Sequence, residues 1–331
     1  MDIIMYPDHS DPISCLLSYQ RLAPVQAGYF VRGAVVGSGL GNIDYYIMPE
    51  VGVGGEGEWE WKGEGGDGQM VVLSGLGLPF DPPQEASGIS STYGGRRFYS
   101  NDNIYLILTS IPPAITPEED GVIRGIVERD VNALVVMVPD IAEMSMWSSP
   151  TSEVAYRLGP RLWCQRLLDR VKGGIEGEGK DRVLLMRPLT VEERTGMIKI
   201  SSAVLDFGGS ITAIEATALR VPVVCEEDRG MGGIGCGVNR MIGGKVLDYC
   251  VGRKGGRGEG MVEKAVKIGM DGGIREEVVR EIDEAIEGGR LKDVMQTIGS
   301  TEGGQELAEF LERVGGPWAD LSEDISERTR T

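Results

Sequence analysis

Residues 181–225 read DRVLLMRPLTVEERTGMIKISSAVLDFGGSITAIEATALRVPVVC, and this stretch decides the fold. Val183–Met186 is an apolar run of strand length. A helical segment follows, with Glu192, Glu193 and Arg194 near its start and Met197, Ile198 and Ile200 along one side. Ala203-Val204-Leu205 forms a second strand that ends in Asp206, Thr212–Leu219 a second helix and Val221–Val224 a third strand. The pattern is β-α-β-α-β, which requires parallel strands in an α/β sheet. It also places Gly208-Gly209-Ser210 at the carboxyl end of a strand, where open α/β sheets bind ligands.

The chemistry of that turn suits a diphosphate. Glycines let the backbone approach a ligand closely, and the first amides of the following helix are unpaired donors at a positive dipole end. Glu215 lies about one turn into the helix, where a carboxylate can accept hydrogen bonds from a ribose. An ordinary βα connection, with Glu215 as a solvated dipole partner, fits the same residues.

Working outward, the 331-residue chain is long enough for about two domains. It is 41% hydrophobic and 25% charged, the balance of a soluble globular protein. Its formal charge of −18 argues against a nucleic-acid or anionic-membrane partner. No stretch reaches the ~18–20 apolar residues of a membrane span, and MDIIMYPD lacks a signal-peptide start. The five cysteines, Cys15, Cys164, Cys225, Cys236 and Cys250, form no CxxC pair. Their scatter predicts reduced thiols, hence a cytoplasmic or nuclear location, and no metal site. No GxSxG, GxxxxGK[ST] or HExxH is present, so those hydrolase, P-loop and zincin readings have no support.

The flanking elements follow the same rhythm. Strands are expected at 3–6, 27–31, 43–47, 70–73, 104–108 and 134–138, and helices at 13–22 and 117–129, the latter capped by Thr116 with Glu119. A helical region spans 147–171, and further helices lie at 261–268, 276–287 and 305–314. Residues 51–68, VGVGGEGEWEWKGEGGDG, are too rich in glycine and acid to offset the cost of ordering. Residues 231–245 and 254–260 read as glycine-rich loops.

Several stretches together resemble the catalytic region of the O-GlcNAc transferase/SPINDLY family of protein O-glycosyltransferases. They are MYPDHSDPISCLLSYQRLAPVQAGYF (5–30), IDYYIMPE (43–50), QMVVLSGLGLPFDPP (69–83), RVLLMRPLTVEER (182–194) and AVLDFGGSITAIEATALRVPVV (203–224). The resemblance covers roughly a third of the chain, in the family's element order. It implies two Rossmann-like lobes of glycosyltransferase-B type: a partial N-terminal lobe at 1–95, lacking its first half, a nucleotide-sugar-binding lobe at 96–316 and a polar tail at 317–331.

The resemblance places Leu189 and Arg194 at the base, Gly209, Ser210, Ile211 and Thr212 at the diphosphate, and Glu215 at the ribose. It implies transfer of a sugar, GlcNAc from UDP-GlcNAc, to Ser or Thr hydroxyls of an acceptor protein, without redox cofactor or metal. Departures from the family are specific. Ser210 stands where a histidine is usual and Ile211 where a threonine is, while Ser110 and Ala114 replace a glutamine and a lysine that reach the phosphates. His9, the only histidine, is the candidate base, with a solvated turn residue as its plainer reading. Arg240 and Lys245 are candidates for the missing cation, and Asp206 for orienting the turn or capping it. A degenerate relative that binds nucleotide or protein without turnover is the alternative function.

Overall fold

The computed structural model describes residues 3–6, 16–29, 42–49, 69–74, 83, 92–93, 96–99, 101–109, 117, 119–139, 160–187, 189–207, 211–227, 234–252, 258–288, 291 and 305–314. The chain divides into two units. One comprises Met1–Asp81, Arg229–Met231 and Leu291–Thr331, the other Pro82–Asp228 and Gly232–Arg290. The first therefore takes back residues beyond 290 that the sequence reading assigns to the second lobe. The expected loop at 51–68, the Thr116 cap, the segment 147–159 and the tail at 317–331 lie outside the described residues.

The first unit is built on a four-stranded parallel sheet, β1 (Ile3–Tyr6), β2 (Val25–Tyr29), β3 (Tyr45–Pro49) and β4 (Gln69–Leu73), in that order. β2 and β3 start two residues away from their expected starts, and side chains at their entries supply the reason. Arg21 grips both carboxylate oxygens of Asp44, at 2.7 and 2.9 Å. The Gln26 amide also donates to Asp44, at 2.8 Å, while Gln26 Oε1 accepts from Leu22 N and Tyr6 Oη. The RLAPVQ and IDY segments are thus tied to each other by a polar knot beside the sheet. On the sheet's face Ala27, Tyr29, Ile47 and Leu73 form a core, against which Leu307 and Phe310 of the helix 305–314 pack. Ser74 N and Oγ both donate to Glu306, at 2.8 and 2.7 Å.

The second unit opens with a short antiparallel pair, β5 (Thr92–Tyr93) and β6 (Arg96–Arg97). Then come β7 (Asn103–Thr109), α1 (Glu119–Arg129), β8 (Ala133–Pro139), α2 (Pro160–Gly173), β9 (Val183–Leu185), α3 (Val191–Ile200) and β10 (Ala203–Asp206). The unit continues through α4 (Ile211–Ala218), β11 (Val223–Glu227), α5 (Ile234–Ile242), β12 (Cys250–Gly252), α6 (Glu259–Met270) and α7 (Gly272–Glu287). Strands β7 to β12 form one parallel sheet in the order β9-β8-β7-β10-β11-β12. Ranked by position in the chain this is 3-2-1-4-5-6, the doubly wound order whose direction reverses between the first and fourth strands. The switch point therefore falls between β7 and β10.

The core of this sheet is apolar and closely filled, with Leu106, Val136, Met197, Val204, Ala213 and Val223 among its members. On the opposite face of β7 a polar group is buried. Tyr105, with no exposed surface, donates its hydroxyl to Asp130 at 2.7 Å, and Asn103 donates to the same carboxylate at 2.8 Å. Gly269 of α6 passes directly over that hydroxyl, so close that a methyl group there would overlap it.

Two elements here were unreadable from sequence. Residues 234–242 are a helix although Gly235 and Gly237 interrupt them, and 250–252 are a strand. Glycine costs about 1 kcal/mol in a helix interior, but Cys236, Val238 and Ile242 of α5 are each at most 1% exposed. Burial of that face outweighs the local preference.

Candidate functional site

The site at the switch point is assembled from the starts of α3 and α4. Thr190 caps α3 with a reciprocal capping box: its hydroxyl accepts from Glu193 N at 3.2 Å, and the Glu193 carboxylate accepts from Thr190 N at 3.0 Å. This arrangement satisfies two otherwise unpaired donors at the helix start. Arg187 holds the same carboxylate at 2.6 Å. Burial alone would raise the Glu193 pKa, but the Thr190 amide and then the Arg187 guanidinium outweigh it and hold the carboxyl below its usual value. The residue before the cap, Leu189, is 2% exposed and anchored in the core. The chain entry to α3 is therefore fixed on both sides, and Arg194 is the next residue after the box.

From there Arg194 reaches α4. Its Nε and Nη2 donate to Glu215 Oε2 at 2.9 and 2.6 Å, and Nη2 also donates to Thr212 Oγ1 at 2.9 Å. The pair is largely but not wholly buried, with side-chain exposures of 17% for Arg194 and 21% for Glu215. A guanidinium held by three hydrogen bonds has its plane set in advance, which suits stacking on a flat ligand. Thr212 and Glu215 occupy the second and fifth positions of α4, whose amino end follows β10 at the switch point. Free amides and dipole at such an end favour an anion.

The structure thus brings together Arg194, Thr212 and Glu215, and places Leu189 one residue before the cap of the helix that supplies Arg194. Ile211 is the first residue of α4. Gly209, Ser210 and His9, with Ser110 and Ala114, lie outside the described residues. Asp206 ends β10 and is 5% exposed. Of the two candidate cations, Lys245 is engaged elsewhere. It forms an ion pair with Glu277 and its amide donates to Glu281 at 2.7 Å, while Arg240 stands in the last turn of α5.

The scattered cysteines are the larger surprise. Cys225, Cys236 and Cys250 bring their sulfurs within 4.8 Å of one another. Hydrogen bonds from Cys225 and Cys236 pull the Cys250 thiol down to about 4 against the opposing effect of burial, with Arg240 and Asn239 adding to the pull. Cys225 is pushed well up, first by burial. Spacings of 11 and 14 residues gave no sign of this, because the convergence depends on strand register and on a helix that glycines conceal.

No protein-family model matches the chain, and no curated protein matches it in sequence. Its likeness is to solved structures. An O-GlcNAc transferase mutant from Thermobaculum terrenum superposes with a TM-score of 0.60 at 18% identity, over 98% of this chain and 54% of that one. OtsA in its apo form gives 0.52 at 12% identity, over 95% and 72%. An E. coli structure described as trehalose-6-phosphate bound with UDP-2-fluoro glucose gives 0.50 at 11%, over 95% and 73%. The chain spans about half the length of the first of these. The fold is α/β with two Rossmann-like parallel sheets, the glycosyltransferase-B architecture. Among the described residues no helix is long and apolar enough to cross a membrane.

Proposed function

We propose that this chain transfers a sugar from a nucleoside diphosphate to an acceptor hydroxyl. The observation that carries the reading is the convergence of Arg194, Thr212 and Glu215 at the amino end of α4, beside the sheet's switch point. In this reading the Arg194 guanidinium lies against the base and Glu215 accepts from the ribose. The amides of residues 209–212 hold the diphosphate, with Leu189 contributing a backbone contact to the base. The acceptor oxygen bonds to the anomeric carbon as the bond to the diphosphate breaks. The hydroxyl proton goes to a base, for which His9 is the candidate, and the amides stabilise the charge that develops on the leaving group.

The finer proposal is a protein O-glycosyltransferase acting on Ser and Thr, with UDP-GlcNAc as donor and no metal in the reaction. The resemblance of residues 5–30, 43–50, 69–83, 182–194 and 203–224 to the O-GlcNAc transferase/SPINDLY family supports it. Calorimetry with UDP and GDP, followed by transfer of labelled GlcNAc from UDP-GlcNAc to Ser/Thr peptides, tests it. UDP binding with transfer is expected. UDP binding without transfer to any peptide would leave a nucleotide-binding module, and no binding at all would overturn the reading.

A further inference from the structure

We propose that Cys225, Cys236 and Cys250 form a binding site for one thiophilic metal cation, a soft or borderline ion of the zinc, cadmium or copper(I) kind.

The sheet's register creates the site. Cys225 of β11 is the direct neighbour of Asp206 on β10 and of Cys250 on β12. Neighbours at one level of a parallel sheet point to the same face. Three strands therefore carry carboxylate, sulfur and sulfur in a row, and α5 lays Cys236 over it. Cys236 Sγ lies 2.8 Å from Cys225 Sγ, and Cys225 Sγ lies 3.5 Å from Cys250 Sγ. Asn239, one turn along α5, donates to Val223 O at 3.0 Å and approaches Cys225 Sγ at 3.6 Å, fixing the helix to the strand at this level.

The number of sulfurs decides between a cation and a disulfide. A disulfide would join two and leave the third sulfur behind in the core. A cation bonded to each at ~2.3 Å sets its sulfurs about 4 Å apart, a spacing that the group already brackets. Cys225 and Cys236 need to separate by only about 1 Å to receive it. Sulfur ligands select soft and borderline ions. Each thiol that binds gives up its proton to solvent, and the negative Asp206 in the same row adds to the attraction for a cation. Cys250, the only one of the three that is not fully buried, gives the ion its route in.

The test is an anaerobic titration of the reduced, chelator-treated full chain with cadmium chloride. A thiolate-to-cadmium ultraviolet band is expected to saturate at one equivalent and to be accompanied by a rise in melting temperature. Cys225→Ser, Cys236→Ser and Cys250→Ser are each expected to weaken cadmium by more than the about 10–100-fold that changes outside the ligand set cost. The Cys15→Ser/Cys164→Ser double variant is expected to titrate like the parent. Should the buried substitutions impair folding, Cys250→Ser at the half-buried position carries the comparison. Absence of a saturating band overturns the proposal, as does a band undiminished in Cys250→Ser. So does a disulfide that forms in air equally fast with and without cadmium.

Discussion

Arg194 directs two of its nitrogens at a single carboxylate oxygen of Glu215, so that α3 and α4 are joined by an ion pair at the mouth of the switch point. If Glu215 accepts from a ribose while Arg194 lies against the base, each group orients the other for the ligand. Glu215→Gln and Arg194→Ala are each expected to weaken UDP by about 10–100-fold, the usual worth of a hydrogen bond to a charged group. The double variant should lose much less than the sum, because both substitutions dismantle one contact. Arg194→Lys is expected to behave like Arg194→Ala, since a lysine offers neither the fork nor the plane. Calorimetric titration of the parent and the four variants measures all of this.

Glu193 gives the capping box a pH dependence. Its carboxyl is held below the usual value, so its contribution is fully present above the unfolded pKa of ~4.3 and is lost as pH falls through the folded value. Glu193→Ala should cost about 1 kcal/mol at neutral pH, the typical worth of a cap. The difference from the parent should shrink in acid. Urea unfolding of both proteins at a series of pH values checks the sign.

At Gly269 the usual effect of glycine in a helix is expected to invert. Gly→Ala in a helix interior ordinarily stabilises by ~1 kcal/mol. Here the added methyl meets the hydroxyl of Tyr105, which is fixed by Asp130. Gly269→Ala should therefore destabilise by about 1–3 kcal/mol, as overpacked cores do. Equilibrium denaturation reads the result.

The Arg21–Asp44 pair is half-exposed, with side-chain exposures of 46% and 31%, and as a bare ion pair it would contribute little. Its strength comes from the backbone amide that shares the same carboxylate. Asp44→Ala is expected to cost about 1–2 kcal/mol and to speed hydrogen exchange at the Gln26 amide by at least about tenfold. Arg21→Ala should speed that amide much less, since Asp44 still accepts from it.

These residues show what was legible in the chain and why. The β-α-β-α-β unit at 181–225 could be read because its apolar runs and turns keep their own periods, whereas the resemblance assigned Arg194, Thr212 and Glu215 to parts of one ligand and gave no sign of the hydrogen bonds that join them. The specific segments RLAPVQ and IDY were legible as a motif but not in their role, since Arg21 and Asp44 meet only when two strands align. The 3-2-1-4-5-6 order was hidden, because pattern gives strands but not their neighbours. Helix α5 was hidden by its glycines, and the three sulfurs were hidden with it. The return of 305–314 to the first unit could not be anticipated from a helical period alone.

That return has a consequence for biosynthesis. Ser74 and Tyr45 find their partners, Glu306 and Phe310, more than two hundred residues later in translation. The core of Ala27, Tyr29, Ile47 and Leu73 therefore waits for the cover of Leu307 and Phe310 until the helix 305–314 has been made. The second unit has all its strands in hand by residue 252 and can mature in the meantime. A chain cut short before residue 305 would thus hold every strand of both sheets but lack the Leu307 and Phe310 cover of the first, leaving that opening part prey for chaperones and proteases.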